Sequence, residues 1–259
     1  MCLIVFDWQP GTRLRLVANR DEFHARPTAP LARWEDTPDI FGGRDLQAGG
    51  TWLGVAANGR FAATTNVRGP AGEAVAGRSR GQLVRDFLLA EGDPQHYIDA
   101  LRPRAAEYPG FNLLLLAEGA LWHYANRAAP GAHAGDGEAT PLPAGIHGVS
   151  NAGLDTPWPK LRSACAALQA LPREAPETAL AEVTARREPF ADDTLPDTGV
   201  GLELERLLSP PFIVSPAYGT RSTTVLDWRP QGANLYERRY ASDGSLGGEA
   251  RETVDFAGD

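Results

Sequence analysis

Cysteine and lysine are almost absent from this 259-residue chain: the thiols are Cys2 and Cys165, and Lys160 is the sole lysine. Two thiols, one of them inside a helical pattern, exclude a disulfide framework and a cysteine-rich zinc site. With one lysine, arginine carries nearly all the positive charge within a formal net charge of −8. That balance argues against nucleic acid as a partner, because backbone binding needs a concentrated basic surface. No apolar run approaches the ~20 residues of a membrane span. Asp7 interrupts the first apolar stretch, which has no basic residue ahead of it, so no secretory leader is expected. These absences predict a cytoplasmic protein without a membrane span. The histidines at 24, 96, 123, 133 and 147 lack metal-ligand spacing. The glycine-rich "GGRDLQAGGTW" lacks the Gly-Lys-Ser/Thr ending of a phosphate loop.

What is present is a 42% hydrophobic chain with strong turn punctuation, enough for a sizeable core and expected to form a single domain over residues 1–259. Runs 3 to 8 and 13 to 18 flank Gln9 to Thr12, a hairpin signal. A second hairpin turns at Asn58-Gly59, whose residues both tolerate positive φ. A third turns at Glu118-Gly119, and a fourth spans Arg229 to Gly232. Between them, apolar spacing predicts helices from Gly81 to Gly92, from Pro159 to Leu171, and near Pro176 to Arg187. Hairpins, then helices, then hairpins indicate an α+β layered fold with helices over antiparallel sheet. The segment 128 to 145 reads as a long loop, and loops near 66–78, 126–145 and 188–200 are expected to shape any pocket.

The chemistry is sought at the amino terminus. A four-residue loop from Gln9 to Thr12 pairs positions summing to 21, which sets Cys2 opposite Asn19 with Asp21 diagonal to it. A one-residue slip would reverse the faces. The small side chain of Cys2 permits removal of Met1, which leaves a thiol and a free α-amine on one residue. That amine, with a reference pKa of about 7.7–8.0, can serve as base for its own nucleophile. A nearby arginine favours the thiolate and a carboxylate orients the ammonium, roles that suit Arg20 and Asp21. Trp52 reads as core or pocket wall, and Cys165 as core.

"MCLIVF", the quartet Asn19-Arg20-Asp21-Glu22, "GGTWLGV" at 49–55, "TTNVR" at 64–68, "GVSNAGLDTPWPK" at 148–160 and "GTRSTTVL" at 219–226 together resemble the NRDE family. That family includes the transport and Golgi organization protein 2 group. It is in turn similar to N-terminal-nucleophile (Ntn) hydrolases of the penicillin V acylase and bile salt hydrolase type. The resemblance implies a four-layer αββα sandwich and an amidohydrolase acting on a small-molecule amide through a Cys2 acyl-enzyme, with no metal or organic cofactor. By position it implies Cys2 as nucleophile and base, Asp21 and Arg20 holding its amine and thiol, Asn151 as oxyanion donor with Asn66 second, and Arg221 stabilising charge nearby. Asn19 and Trp52 are the expected substrate contacts. In the acylases the Arg and Asp stand three residues apart, whereas Arg20 and Asp21 are adjacent and alternate faces of a regular strand. That spacing weighs against Arg20 more than against Asp21. The alternative that the same resemblance implies is a non-catalytic pocket for haem or lipid, serving trafficking.

Overall fold

The computed structural model describes residues 2–69, 77–127 and 139–256; most of the loop expected at 128 to 145 lies outside them. Among the described residues, thirteen strands form two antiparallel sheets. The first sheet has the order β10 (Gly145–Val149), β1 (Cys2–Gln9), β2 (Arg13–Phe23), β11 (Tyr218–Arg229), β12 (Gly232–Tyr240), β13 (Leu246–Asp255). The second runs β3 (Thr28–Arg33), β4 (Ile40–Asp45), β5 (Leu53–Ala56), β6 (Phe61–Asn66), β7 (Phe111–Ala117), β8 (Ala120–Ala125), β9 (Thr140–Pro141). Helices are few: α1 (Arg80–Leu88), α2 (Pro94–Leu101), α3 (Pro159–Ala170), α4 (Glu177–Ala181) and α5 (Leu202–Leu207).

The inner strands are apolar without a break because both of their faces are covered. On β1, Ile4, Phe6 and Trp8 enter the core between the sheets, while Leu3 and Val5 pack with Leu161, Ala164 and Leu168 of α3. On β7, Leu114 and Leu116 face the inter-sheet core, and Leu113 and Leu115 meet Val84 and Phe87 of α1 and Ile98 of α2. Two helix-covered outer faces and one shared inner face make the four-layer αββα arrangement. Each fully buried Leu or Phe contributes about 1.5–3 kcal/mol, so the three cores dominate the stability. Among the described residues no helix is long and apolar enough to cross a membrane.

Local chemistry explains the turns. Gly59 takes φ 84° beside Asn58, and Glu118-Gly119 takes φ 52° and 70°, both as the sequence indicates. Helix α2 was not evident from periodicity, yet it has a clear start: Pro94 at its first turn, with the Asp93 carboxylate accepting from the His96 N–H at 2.7 Å. The helix expected near Pro176 to Arg187 is shorter, comprising α4 and a single 3₁₀ turn over Glu182–Thr184.

Candidate functional site

The β1–β2 register sets the site. Its turn has only three residues between the paired Gln9 and Arg13, with Gly11 at φ 65° and the Thr12 N–H closing on the Gln9 carbonyl at 2.9 Å. Paired numbers therefore sum to 22, not 21. Cys2 pairs with Arg20, and Asn19 pairs with Leu3. This corrects the expected register: Arg20, not Asn19, stands directly opposite Cys2.

Arg20 is 4% exposed. Its guanidinium stacks on the Trp52 ring at 4.3 Å and lies 3.9 Å from the Glu22 carboxylate. Trp52 reaches this position because residue 43 is glycine: a Cβ there would lie 2.3 Å from the indole. Asp21, 2% exposed, pairs with Thr220 of β11, and its carboxylate accepts from the Thr220 hydroxyl at 2.6 Å. The Thr220 oxygen is itself held by the Ile213 N–H at 2.9 Å. Burial pushes the Asp21 carboxyl up, opposed by the positive amino terminus, Lys160, the Thr220 hydroxyl and Arg20.

Two asparagines meet across the end of β6. The Asn151 amide donates to the Asn66 side-chain oxygen at 2.9 Å and to its backbone carbonyl at 3.2 Å. The Asn151 side-chain oxygen accepts from the Lys160 ammonium at 3.3 Å. An ammonium only donates, so this contact fixes which way the Asn151 amide faces. Asn66 has its oxygen engaged by Asn151 and borders the cavity, leaving its NH₂ as the end available to a ligand.

Arg20, Asp21, Trp52, Asn66 and Tyr218 border a cavity of about 800 Å³. Its lining also includes Arg26, Arg78 and Arg80 together with Leu204, Leu207 and Leu208. Arg26 pairs there with Asp45 at 2.7 Å. Among the described residues no group of three or more His, Cys, Asp or Glu could hold a metal ion.

Two expected contacts lie elsewhere. Asn19 does not face a ligand: its NH₂ donates to the Thr184 and Pro211 carbonyls, each at 3.0 Å, and its oxygen accepts from the Thr184 and Thr223 hydroxyls at 2.8 and 2.7 Å. All four hydrogen-bonding positions are used, so it fastens β2 to β11 and to the segment after α4 instead of touching substrate. Arg221 is the extra residue of a bulge between Thr220 and Ser222. The bulge turns it from the expected position near Cys2 and onto the Phe23 and His24 carbonyls, at 3.0 and 3.1 Å. It borders a separate pocket of about 210 Å³ with Ser222 and Arg239.

Sequence reasoning passed over Lys160, Arg68 and Glu205. Lys160 is 3% exposed, and being the chain's only lysine, within "TPWPK", was the signal that could have marked it. Arg68 and Glu205, 6% and 3% exposed, form a buried ion pair between the strand-end segment after β6 and α5.

A sequence-family profile described as Transport and Golgi organisation 2 matches residues 1–242. The human Transport and Golgi organization protein 2 homolog is 33% identical over 281 residues, covering 99% of this chain and 99% of that protein. The bovine homolog is 34% identical over 254 residues, covering 87% of this chain and 88% of its own length. Among solved structures, a Caenorhabditis elegans N-acylethanolamine-hydrolyzing acid amidase (NAAA) ortholog superposes with a TM-score of 0.52 at 12% identity, covering 87% of this chain and 92% of that one. At that identity the likeness is one of fold, and it agrees with an Ntn-hydrolase-like αββα sandwich.

Proposed function

Because the chain belongs to the Transport and Golgi organisation 2 family and has an Ntn-hydrolase-like fold, we propose that it is an N-terminal-cysteine amidohydrolase acting on a small-molecule amide. Removal of Met1 frees the Cys2 α-amine. The amine takes the thiol proton, and the thiolate attacks the amide carbonyl carbon, whose π electrons move onto oxygen. Collapse expels the amine product, which takes the proton back, and leaves an acyl thioester. Water, deprotonated by the same amine, then releases the carboxylic acid and restores the thiol.

The single observation that carries this reading is the pairing of Cys2 with Arg20, a buried guanidinium held on Trp52 at the cavity. A fixed cation there favours the thiolate. Asp21, buried one residue on and bound to Thr220, suits the ammonium. For the oxyanion, the geometry favours the Asn66 amide as donor with Asn151 orienting it through the 2.9 Å bond. Losing such a donor costs about 3–4 kcal/mol of barrier where it has been tested. Arg221, engaged with the turn carbonyls, is not needed in this scheme.

The test begins with the intact mass of purified protein, followed by labelling with a thiol-reactive acyl analogue. The expected result is a chain starting at Cys2, labelled once, with label lost in a folded Cys2→Ala variant. A chain that keeps Met1 and shows no labelling would instead favour a ligand carrier for haem or lipid, for which the cavity and its leucines provide room.

A further inference from the structure

Helix α5 buries one of its acids and exposes its leucines. Leu202, Leu204 and Leu207 are exposed by 51%, 40% and 37%, while its acidic Glu205 is 3% exposed. A short helix that buries Glu205 while its leucines face outward needs a reason, since a buried charge is costly unless partnered. Both Glu205 oxygens have partners. One Glu205 oxygen receives the Arg68 guanidinium, and the other accepts the Thr198 N–H at 2.9 Å and the Thr198 hydroxyl at 2.5 Å. Arg68 stacks on Trp158 at 4.9 Å. The outward leucines have an explanation too, because Leu204 and Leu207, with the adjoining Leu208, border the cavity.

The same latch touches the asparagine pair. The Arg68 backbone N–H donates to the Asn151 carbonyl at 2.8 Å. The Lys160 ammonium bridges the Asn151 side-chain oxygen and the Leu208 carbonyl, at 3.3 and 3.2 Å. Gly199 and Gly201, at φ 80° and 87°, supply the sharp entry that lets a short helix present its charge inward.

We propose that α5 is the wall receiving the apolar acyl chain of the amide substrate, and that Glu205, through Arg68, is the positioning residue that sets how long a chain is accepted. This rests on the amidohydrolase reading for its chemistry, though not for its binding. The ligand class follows from the leucines: an unbranched, uncharged chain fits against Leu204, Leu207 and Leu208 and covers apolar surface that leaves Leu204 and Leu207 40% and 37% exposed.

The experiment uses the full chain with Met1 removed and a series of N-acyl 4-nitroanilides from acetyl to dodecanoyl. Hydrolysis is followed in the wild type, and binding in Cys2→Ala by quenching of tryptophan fluorescence, Trp52 being in the cavity border. In the wild type both KM and Kd are expected to fall with chain length. The Leu204→Ala/Leu207→Ala double variant should raise the dodecanoyl-to-acetyl ratio of KM or Kd about tenfold to a hundredfold, the range for losing apolar contacts in a pocket. Glu205→Gln should raise the same ratio, with Glu205→Asp restoring part of it. If hydrolysis occurs but the leucine variant leaves that ratio within about twofold of wild type, the wall is overturned and the hydrolase stands. If nothing is hydrolysed but Cys2→Ala binds long chains and loses that preference with the leucines removed, the hydrolase falls and the wall stands. No chain-length dependence of binding or hydrolysis overturns the wall outright, and the leucine variant keeps this decisive even if Glu205→Gln does not fold.

Discussion

Glu205→Gln should be among the more destabilising single substitutions in the chain even though it changes one atom of the side chain. Glu205 is the sole anion paired with the Arg68 guanidinium among the described residues, whose Nε and Nη2 have no hydrogen-bond partner there. Burial already pushes the Arg68 pKa down, with Glu205 opposing it. Neutralising Glu205 strands a buried cation, a loss of about 3–5 kcal/mol in comparable cases. At roughly 2–4 °C per kcal/mol for a domain of this size, the melting midpoint should fall by about 6–20 °C. Removing both charges together is different: Arg68→Met with Glu205→Leu should recover most of the loss, because apolar replacement of a buried pair is often neutral or better. The next residue provides the control. Arg206 pairs with Asp192 at 2.7 Å, but both side chains are about half exposed, 46% and 49%, so Arg206→Gln should leave the midpoint essentially unmoved. Urea unfolding of Glu205→Gln, of Arg68→Met and Glu205→Leu singly and together, and of the control, with the m-value checked for constancy, decides the matter. If Glu205→Gln is as silent as Arg206→Gln, or if the two single losses simply add in the double variant, the latch has been misjudged.

Three other outcomes are expected. Gly43→Ala should displace Trp52, since the new Cβ would come within 2.3 Å of the indole, and with it the stacked Arg20; labelling of Cys2 should slow, while Gly11→Ala, whose Cβ meets nothing within 4 Å, should alter stability alone. Asp21 has a folded-state pKa raised by burial, so its stabilising contribution is complete below about pH 3.9 and is lost as pH rises through the raised value; Asp21→Asn should flatten that fall, and equal pH slopes in the two proteins would refute it. His147 has its pKa raised chiefly by the 2.7 Å hydrogen bond with Asp155, which adds stability below about pH 6.5 that disappears as pH climbs through the raised value. Asp155→Asn, tolerable at φ 53°, should shift the His147 NMR titration downward.

Legibility in the sequence followed the range of the interaction that decides each feature. The Asn58-Gly59 and Glu118-Gly119 turns, α1 and α3 were readable because their determinants lie within a few residues. Strand β4 was not: its sequence "IFGGRD" looks like a turn, and the two glycines are there because a Cβ at Gly42 would meet the Leu53 carbonyl at 2.6 Å and one at Gly43 the Trp52 ring. Strand β13, "LGGEARETVD", is an outer strand with mostly exposed side chains and so shows no apolar alternation. Helix α5 hid behind its exposed leucines and buried Glu205, whose burial makes sense only with Arg68, 137 residues away in the chain. The quartet Asn19 to Glu22 was found from its composition, but which member meets Cys2 depended on a turn whose length differed by one residue from expectation.

That turn lies at the far end of the β1–β2 hairpin from the cavity, at the last of eight paired positions from Cys2 to Gln9, or about 24 Å away at strand rise. An exposed hairpin tip is ordinarily where insertions are absorbed without harm. Here its length acts as a parity bit: adding a single residue among Pro10, Gly11 and Thr12 without a compensating bulge would move every β2 residue to the opposite face, setting Asn19 in line with Cys2 and carrying Arg20 off Trp52. The hairpin should therefore tolerate changes of residue type at its tip far more readily than changes of length, and length variants of this loop should lose function while the rest of the sheet still pairs.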